Sequence, residues 1–394
     1  MEGELPDSTI VTIRVAYTLE QCWHSVPGGT ATSAIGVARA IAAQEHGAVE
    51  YGAVEHGAVE HGAVELIGVS ARHRDAAPDE LRAPIPMRSM RLPRRALYES
   101  WHVLRFPHVE RATGPVEVIH ATGMVIPPRT VPLVVTVHDL AFVHFPHHAT
   151  RNGLRFFRQS LELTLRYADL VLCPSEATRR ECVDAGMEAE RVRVVPWGVD
   201  PAPALDDHRS AAVLARHGLT SARYVLFVGT IEPRKNLAAL ASAFQRLESL
   251  DLTLAIVGPS GWNEDLSALV APIRERVRVL GHVSRHELDV LYARSEAFCY
   301  PSLLEGFGMP VLEAMAAGAA VITSSGTATE EVAGAAAVLV DPHDPVALAE
   351  AIERVVSDGD FAAGLRQASL ERAASFTWER SAQLTIDAYR SCTS

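Results

Sequence analysis

The sequence predicts an α/β protein with two successive doubly wound domains, and three observations support this fold class. Short apolar segments alternate with segments of helical composition along most of the chain, as they do in parallel sheets covered by helices. The first apolar segment leads into a glycine-rich loop and then a helix, which is how a doubly wound domain begins. A segment rich in Pro and Asp, residues 200–208, divides the series into two. We therefore expect a cleft between two domains, where ligands commonly bind.

The first domain is expected to begin with a buried strand at residues 10–16 and a helix at residues 31–43. The loop between them contains Gly28 and Gly29, which let the backbone approach a ligand. The N-terminus of the following helix favours an anion. An ordinary turn explains the two glycines equally well. Further strands are predicted at residues 64–69, 116–120, 131–138, 170–174 and 191–195.

A tandem repeat occupies residues 45–65, where EHGAV, EYGAV, EHGAV and EHGAV follow one another. A period of five fits neither a helix, nor a strand, nor a solenoid repeat. The repeat therefore indicates an insertion between the first helix and the next strand. Its histidines are compatible with a metal site, but a mobile surface loop is the simpler interpretation.

Arginines cluster with large apolar residues in two segments of the first domain, residues 87–111 and 151–167. The spacing in the second segment predicts an amphipathic helix. Its polar face is either simply solvated or contacts an anionic acceptor or the inner surface of the cell membrane.

The second domain shows the same alternation of strands and helices. We place the two domains at residues 1–200 and 201–375, with a final helical segment at residues 376–394. The strands of the second domain are predicted at residues 224–229, 253–258, 277–280, 297–300, 320–323 and 337–340.

Composition argues against several classes of protein. The formal net charge of -12 argues against non-specific binding of nucleic acid. The five cysteines are scattered without a CxxC pair, which disfavours a disulfide framework and a zinc site. No apolar run reaches the roughly 18–20 residues needed to span a bilayer, and the acidic N-terminus lacks the apolar core of a signal peptide. We therefore expect a cytoplasmic protein.

A loop with two adjacent cations follows the first strand of the second domain. It runs from Gly229 to Asn236 and contains Arg234 and Lys235. Among the 36 basic residues, Lys235 is the only lysine, which favours a chemical requirement over a chance surface position. Two cations beside a helix N-terminus can bind a diphosphate and stabilise the charge that develops as it leaves.

A second loop, of sequence EGFGMPVLE, follows the fourth predicted strand of the second domain. Gly306 and Gly308 allow backbone N–H groups to face a ligand, and Pro310 fits the first turn of a helix. Glu305 lies in the loop and Glu313 lies about one turn into the helix, so both carboxylates can reach one cleft. They could accept paired hydrogen bonds from the vicinal hydroxyls of a sugar and of a ribose.

One histidine of the first domain is a further candidate. His138 ends the strand predicted at residues 131–138, so we expect it at the cleft, where it could contact a donor sugar. His120 also ends a strand, and its case is weaker. A single histidine at a strand end is otherwise usually structural.

These motifs are similar to those of a known family, the retaining glycosyltransferases of family 4. Members have the GT-B fold, in which two Rossmann-like, doubly wound domains face each other across a deep cleft. The resemblance rests on the two glutamates of EGFGMPVLE and on the segments GTIEPRKN, VHDLAF, VVPWGVD and GHVS. It extends from about residue 10 to about residue 390 and is densest in the second domain.

The resemblance implies a role for each matching position. Glu313 would hold the ribose hydroxyls of the donor, and the segment around Val283 would bind its base. Glu305 and His138 would act at the transferred sugar. The remaining donor-binding positions are Gly28, Gly29, Arg234 and Lys235 for the diphosphate, and the backbone of Phe307, Gly308, Met309 and Pro310 for the sugar.

The resemblance also implies the substrates and the chemistry. The donor would be a nucleotide sugar, best matched by GDP-mannose, with rhamnose, glucose and N-acetylglucosamine donors still open. The acceptor would be a glycan or a lipid-linked molecule. No cofactor or metal is expected, because the cations and helix termini replace it. The final helix would cross back to the first domain, and transfer would retain the anomeric configuration.

One position departs from the family pattern. Many relatives have arginine directly after the glycine at Gly229, where this chain has Thr230. The phosphate contacts are therefore expected to fall more heavily on Arg234 and Lys235.

Two other functions stay open on the sequence alone, a nucleotide-sugar epimerase on the same fold and a catalytically silent glycan-binding relative. The EGFGMPVLE segment argues against the epimerase. The joint presence of His138, Lys235, Glu305 and Glu313 argues against the silent relative.

Overall fold

The computed structural model describes residues 12–23, 28–50, 63–148, 150–259, 261 and 264–393. It confirms the predicted fold class, because two parallel sheets follow one another along the chain with helices between their strands. None of the helices in this described part combines the length and the apolar character needed to span a bilayer.

The first sheet has seven strands in the order β3-β2-β1-β4-β5-β6-β7. All neighbouring strands are parallel. The strands are β1 Ile13–Thr18, β2 Val64–Arg72, β3 Met87–Pro93, β4 Val118–Ala121, β5 Leu133–Thr136, β6 Leu170–Cys173 and β7 Val192–Val194.

The second sheet has six parallel strands in the order β10-β9-β8-β11-β12-β13. The strands are β8 Tyr224–Val228, β9 Thr253–Val257, β10 Val277–Gly281, β11 Ala297–Tyr300, β12 Val321–Ser324 and β13 Val338–Val340.

The strand order of each sheet reverses direction once, between β1 and β4 in the first and between β8 and β11 in the second. Loops leaving the carboxyl ends of these strands diverge to opposite sides and open a crevice, which is where ligands bind in open α/β sheets. The glycine loop after β1, the cationic loop after β8 and the EGFGMPVLE loop after β11 all leave from these positions.

Fifteen α-helices connect and flank the strands in the described ranges. They are α1 Gly29–Glu50, α2 Arg94–Glu99, α3 Glu110–Thr113, α4 Ala141–His144, α5 Arg151–Tyr167, α6 Glu176–Asp184, α7 Asp207–Arg216, α8 Leu237–Arg246, α9 Leu266–Val270, α10 Arg285–Arg294, α11 Met309–Ala316, α12 Ala328–Ala333, α13 Pro345–Ser357, α14 Gly359–Ala373 and α15 Trp378–Thr393.

Strand β3 and helix α1 are two of the elements that differ from the sequence prediction. Strand β3 was not predicted, because only Met90 of its seven residues is fully buried and the segment therefore lacks an apolar run. It forms the edge of the first sheet, where one buried position is enough. Helix α1 continues to Glu50, beyond the predicted end at residue 43 and into the repeat. The repeat units at residues 51–62 lie outside the described residues, so their interpretation stays a prediction.

The last helix, α15, packs on the first domain. A Cβ atom at Gly36 of α1 would lie 2.7 Å from the indole ring of Trp378, so the small residue admits the tryptophan. Near the other end of α15, the Tyr389 hydroxyl lies 2.7 Å from Nδ1 of the buried His120. The Ser381 hydroxyl donates to the carbonyl of Pro196 at 2.6 Å. These contacts hold α15 against the first domain.

Candidate active site

The loop after β8 places Arg234 and Lys235 in a single 3₁₀ turn, Pro233–Lys235. The turn ends at Asn236, whose φ of 56° lies in the left-handed region that asparagine tolerates better than most residues. The side-chain amide of Asn236 donates to the carbonyl of Pro301 at 3.0 Å and to that of Pro342 at 2.7 Å. The cationic loop is therefore fixed to the loops that follow β11 and β13.

The two cations meet Glu305 in a buried ionic cluster. Lys235 Nζ lies 2.6 Å from Oε1 of Glu305, and Arg234 Nη1 lies 3.1 Å from Oε2. Arg234 also donates from Nη2 to Glu232 at 2.8 Å, and Lys235 donates to the Tyr300 hydroxyl at 2.6 Å. The formal charges of the two cations and two carboxylates cancel. Each cation of the predicted diphosphate clamp is therefore paired with a carboxylate of the chain itself.

Glu305 is fully ionised at neutral pH. Its burial opposes ionisation, but the positive charges of Arg234 and Lys235 outweigh burial and lower the pKa of Glu305 to about 2. An ionised carboxylate accepts hydrogen bonds and donates none. Glu305 can therefore bind hydroxyl groups of a sugar but cannot act as a general acid near pH 7.

The EGFGMPVLE loop touches the first domain directly at Gly306. A Cβ atom there would lie 1.7 Å from the backbone oxygen of His138, a distance that real atoms do not reach. The Gly306 carbonyl accepts hydrogen bonds from the hydroxyls of Ser175 at 2.6 Å and Thr178 at 2.9 Å. The glycine is required here because the two backbones are in contact.

His138 is neutral and has one unused nitrogen. Burial lowers its pKa, although the Thr122 carbonyl and Asp139 favour the charged form. Its Nε2 lies 2.8 Å from that carbonyl, which only accepts, so Nε2 must carry the proton. Nδ1 is then an acceptor, and it has no hydrogen-bond partner among the described residues.

A cavity of about 740 Å³ lies between the domains and brings several of these groups together. Gly28 and Thr30 at the N-terminus of α1 line it, as does His138, and from the second domain so do Glu232 and Arg234. Among the described residues, a Cβ atom at Gly28 would meet nothing within 4 Å. The cavity thus combines a helix N-terminus with the partly buried cation Arg234, two features that favour an anion.

The structure places two other predicted donor-binding residues, Glu313 and Val283, in the second domain and away from this cavity. Glu313 accepts hydrogen bonds from Arg285 and, at 3.3 Å, from the Tyr292 hydroxyl. Burial raises its pKa despite the opposing charge of Arg285. Val283 precedes α10 and packs against the hydrophobic core that includes the strands of the second sheet. Neither Glu313 nor Val283 lines the 740 Å³ cavity.

The remaining predicted positions lie where the two domains meet. Phe307 is buried, with its ring centroid 5.0 Å from that of Trp197. Gly308 has a φ of 100° and directly precedes α11, which begins with Met309 and Pro310. A Cβ atom at Gly29 would lie 3.6 Å from Cβ of Met309, so the glycine loop of the first domain faces the start of α11.

Models of known protein families match both domains of the chain. Residues 27–203 match the model described as Glycosyltransferase Family 4, and residues 215–372 match Glycosyl transferases group 1. The O-antigen chain mannosyltransferase B of Escherichia coli is 31% identical over 285 residues, which cover 69% of this chain and 74% of that protein.

The chain belongs to glycosyltransferase family 4. It is therefore a glycosyltransferase, an enzyme that transfers a sugar to an acceptor. A second relative, the D-inositol 3-phosphate glycosyltransferase of Salinispora tropica, is 33% identical over 71% of this chain and 64% of its own length.

Solved structures share the fold of the glycosyltransferase. Anabaena Alr3699/HepE in complex with UDP and glucose superposes with a TM-score of 0.71 at 18% identity, covering 96% of this chain and all of that one. WaaG, a glycosyltransferase involved in lipopolysaccharide biosynthesis, superposes with a TM-score of 0.68 at 16% identity, covering 96% of this chain and 99% of that one. The predicted GT-B architecture is therefore confirmed.

Sequence reasoning missed two charged residues that contact the predicted ones. Glu232 stands two positions before Arg234, so the sequence of the loop could have suggested their ion pair. Arg285 stands 28 positions before Glu313 in another element, and no spacing rule relates the two. The Arg285–Glu313 pair could be found only from the folded chain.

The glycosyltransferase is expected to lose stability with acid in a pH range set by buried histidines, which are His138 and two others. Burial, reinforced by Arg105, lowers the pKa of His102 to about 4, and burial, reinforced by His138, lowers that of His120 to about 3. In the unfolded chain a histidine binds its proton near pH 6.5. Below that pH the unfolded state therefore binds more protons than the folded state, and stability falls by about 1.4 kcal/mol per pH unit for each fully titrating site.

The measurement is urea unfolding between pH 7.5 and 5, above the range in which most carboxylates titrate. The variant His120→Gln should reduce the slope of stability against pH by about one proton. The matched variant His208→Gln, at an exposed position, should leave the slope unchanged. Equal slopes in all three proteins would show that His120 does not stay neutral in the fold.

Proposed function

We propose that the chain is a retaining hexosyltransferase that transfers mannose from GDP-mannose to a glycan or lipid-linked acceptor. The main support for the proposal is the arrangement of charged groups at the cleft. The cluster of Arg234, Lys235 and Glu305 lies at the crevice of the second sheet, and Arg234 shares a cavity with His138 and the N-terminus of α1. A sugar diphosphate placed there would have cationic groups at its phosphates and acceptor groups at its sugar.

The choice of mannose is supported by the relatives, and the acceptor atoms of the site suit the hydroxyls of any hexose. The first of those relatives is a mannosyltransferase. Ionised Glu305 and Nδ1 of His138 are both hydrogen-bond acceptors, as hydroxyls of a hexose require. Glucose, rhamnose and N-acetylglucosamine donors are the competing candidates, and guanine is proposed only by analogy with mannosyltransferases.

The donor is proposed to extend from the cavity toward Glu313. The diphosphate would contact Arg234, Lys235 and the backbone at Gly28 and Gly29. The ribose would bind Glu313, whose carboxylate must then share its oxygens with Arg285. The base would lie near Val283. The transferred sugar would lie along the backbone of residues 307–310.

In the proposed mechanism, positively charged groups of the protein stabilise the departing diphosphate. Negative charge that builds on its oxygens would be met by Arg234, Lys235 and the N-terminus of α1, groups that are already oriented before the reaction. The anomeric carbon loses its bond to the phosphate as the acceptor oxygen forms a bond on the same face. The acceptor proton passes to the leaving phosphate oxygen, so no protein nucleophile is needed. Glu305, held between two cations, is a positioning group for the sugar.

The experiment that tests the proposal is calorimetric titration with a panel of nucleotide sugars, combined with labelling of the single lysine. Because Lys235 is the only lysine, an amine-reactive reagent followed by peptide mass spectrometry reports on it separately from the α-amino group. GDP-mannose should bind most tightly and protect Lys235 from labelling. Tighter binding of another sugar would replace mannose, and binding without protection would contradict the diphosphate site.

Activity is expected to survive metal chelation. In the proposed site Arg234, Lys235 and a helix N-terminus supply the positive charge that a metal provides in other transferases. Turnover after dialysis against EDTA should equal that of the untreated enzyme within experimental error. Loss of turnover that returns only when Mg²⁺ or Mn²⁺ is added back would refute metal independence.

Peripheral contact with the inner face of the membrane is also proposed. In the first domain Val103, Leu104 and Phe106 are 59%, 71% and 44% exposed, and Arg155 and Arg158 of α5 are exposed as well. Exposed apolar groups near arginines suit the surface of an anionic bilayer. Sedimentation with vesicles containing phosphatidylglycerol should exceed that with phosphatidylcholine alone, and the double variant Val103→Ser with Leu104→Ser should abolish the difference.

A further inference from the structure

One wall of the cavity between the domains is built of aromatic rings. All of its members belong to the first domain, on α2, α4, α5 and the segments next to them. We call the following residues the aromatic wall: Tyr98, Trp101, Phe142, Phe145, Phe156 and Phe157. The second domain faces them across the cavity with Thr230, Glu232, Arg234 and Pro259.

The rings of the aromatic wall hold one another in place. The centroids of Phe142 and Phe157 are 5.3 Å apart with nearly parallel planes, and Phe156 meets Phe157 edge-on at 5.7 Å. Tyr98 stacks on Phe156 at 6.0 Å. These contacts connect α2, α4 and α5, which are separate in the sequence, so the aromatic wall is a packed and ordered surface.

The aromatic wall offers apolar area and few free polar atoms. Four of its six members are phenylalanines, and the indole N–H of Trp101 is already donated to the carbonyl of Pro107 at 2.7 Å. Phe157 remains 36% exposed although it packs against two other rings. A ligand that covers apolar surface of this kind removes it from water, and this burial favours binding.

A bare sugar does not match this wall. Sugar hydroxyls need hydrogen-bond partners, and burying them against phenylalanine leaves them unsatisfied. The polar groups that suit them are elsewhere in the same cavity, on Glu20, Gln21 and His138. Oε1 of Gln21 and Nδ1 of His138 are buried atoms without a partner among the described residues, and both can accept from a hydroxyl.

We propose that the acceptor carries an apolar group next to the hydroxyl that receives the sugar, and that the aromatic wall binds this group. The inference rests on the proposed function, because it takes the part of the cavity beside the aromatic wall as the acceptor site and leaves the part at Arg234 to the donor. A volume of about 740 Å³ has room for both parts of such an amphipathic molecule, since ligand cavities commonly measure about 300–1,000 Å³. The apolar group can be the chain of a lipid or the aglycone of a soluble glycoside.

The test uses two glycosides that differ only in their apolar group. Octyl and methyl α-D-mannopyranoside, below the micelle concentration, compete with the fluorescent probe N-phenyl-1-naphthylamine bound to the full-length protein. The octyl compound should displace the probe at a concentration at least about tenfold lower, as expected for burial of several CH₂ groups. Equal displacement would overturn the proposal and would favour a sugar face stacked on the rings.

Matched variants place the effect at the aromatic wall. Phe157→Ala removes an exposed ring that the fold does not need for its core, and should weaken displacement by the octyl compound about three- to tenfold. Phe361→Ala, on α14 and outside the residues that line the cavity, should leave displacement unchanged. If Phe157→Ala has no more effect than Phe361→Ala, the proposal fails.

Titration of the same proteins with GDP-mannose separates this inference from the proposed function. Donor binding that is equal in the wild type and Phe157→Ala, together with loss of octyl binding, supports both. Donor binding without any preference for the octyl compound overturns the apolar subsite alone.

A further experiment compares the soluble octyl glycoside with hexadecyl α-D-mannopyranoside held in phosphatidylcholine vesicles. Preference for the vesicles would identify a lipid as the source, and preference for the soluble compound would identify an aglycone.

Discussion

Replacing Lys235 by methionine is expected to lower the turnover number about 10²- to 10³-fold, the usual effect of removing one group that stabilises transition-state charge. Methionine keeps most of the length of the lysine side chain and removes only its charge. The donor KM should change less than the turnover number, because the diphosphate gains most of its negative charge as it leaves. Steady-state transfer with a saturating donor measures both parameters.

Folding must be checked in the same variant, because Lys235 is not the surface cation that an exposed loop would imply. It is 8% exposed and contacts Glu305 at 2.6 Å, so the variant leaves a buried carboxylate with Arg234 as the cation that still contacts it. Loss of one member of a buried ion pair typically destabilises a protein by about 3–5 kcal/mol, and Arg234 should reduce that loss here. Urea unfolding measures it.

Two further variants separate charge from stability. The double variant Lys235→Met with Glu305→Gln removes both charges of the pair, and should recover stability without recovering turnover. Arg246→Met removes an exposed cation from α8, the helix that follows the same loop, and should match the wild type in both. Normal turnover in a folded Lys235→Met protein would exclude Lys235 from the chemistry.

The positions of Lys235 and Glu305 in their loops could be predicted from the sequence, whereas the contact between the two side chains could not. The strand before the cationic loop is a continuous apolar run, and the glycines and proline of EGFGMPVLE mark a loop and a helix start. Local rules therefore located Lys235 and Glu305 at the ends of two strands. The direct contact between them joins residues 70 positions apart, and only the adjacency of β8 and β11 in the sheet brings them together.

The fold was predictable for a related reason, and its exceptions have physical causes. Strands buried on both faces are apolar throughout, as in β8 with all five residues buried, and such runs are visible in a sequence. An edge strand such as β3 needs only one buried side chain, so its pattern is lost among polar residues. The aromatic wall assembles side chains from α2, α4 and α5, and no local pattern marks the surface that they share.

Replacing Gly306 by alanine is expected to lower turnover about 10²-fold, with little change in the donor KM. The added Cβ would lie 1.7 Å from the His138 carbonyl, so one domain must move relative to the other. A displacement of about 1 Å at reacting groups can reduce the rate about 10²-fold. Most of the proposed donor contacts lie in the second domain and are not altered, which is why most of the donor affinity should persist although Gly28 and Gly29 of the first domain are displaced. Steady-state kinetics with varied donor measures the two effects separately.

The control for Gly306→Ala is the same substitution at Gly364 of α14, where an added Cβ would meet nothing within 4 Å. Gly364→Ala should keep full turnover and raise stability by about 0.5–1 kcal/mol, because alanine is the better helix residue. The φ of Gly306 is not in the left-handed region, so backbone strain cannot explain a loss of activity there. Because the added methyl group affects only the contact between the domains, full turnover of Gly306→Ala would show that the glycosyltransferase reacts with its domains further apart than the structure has them.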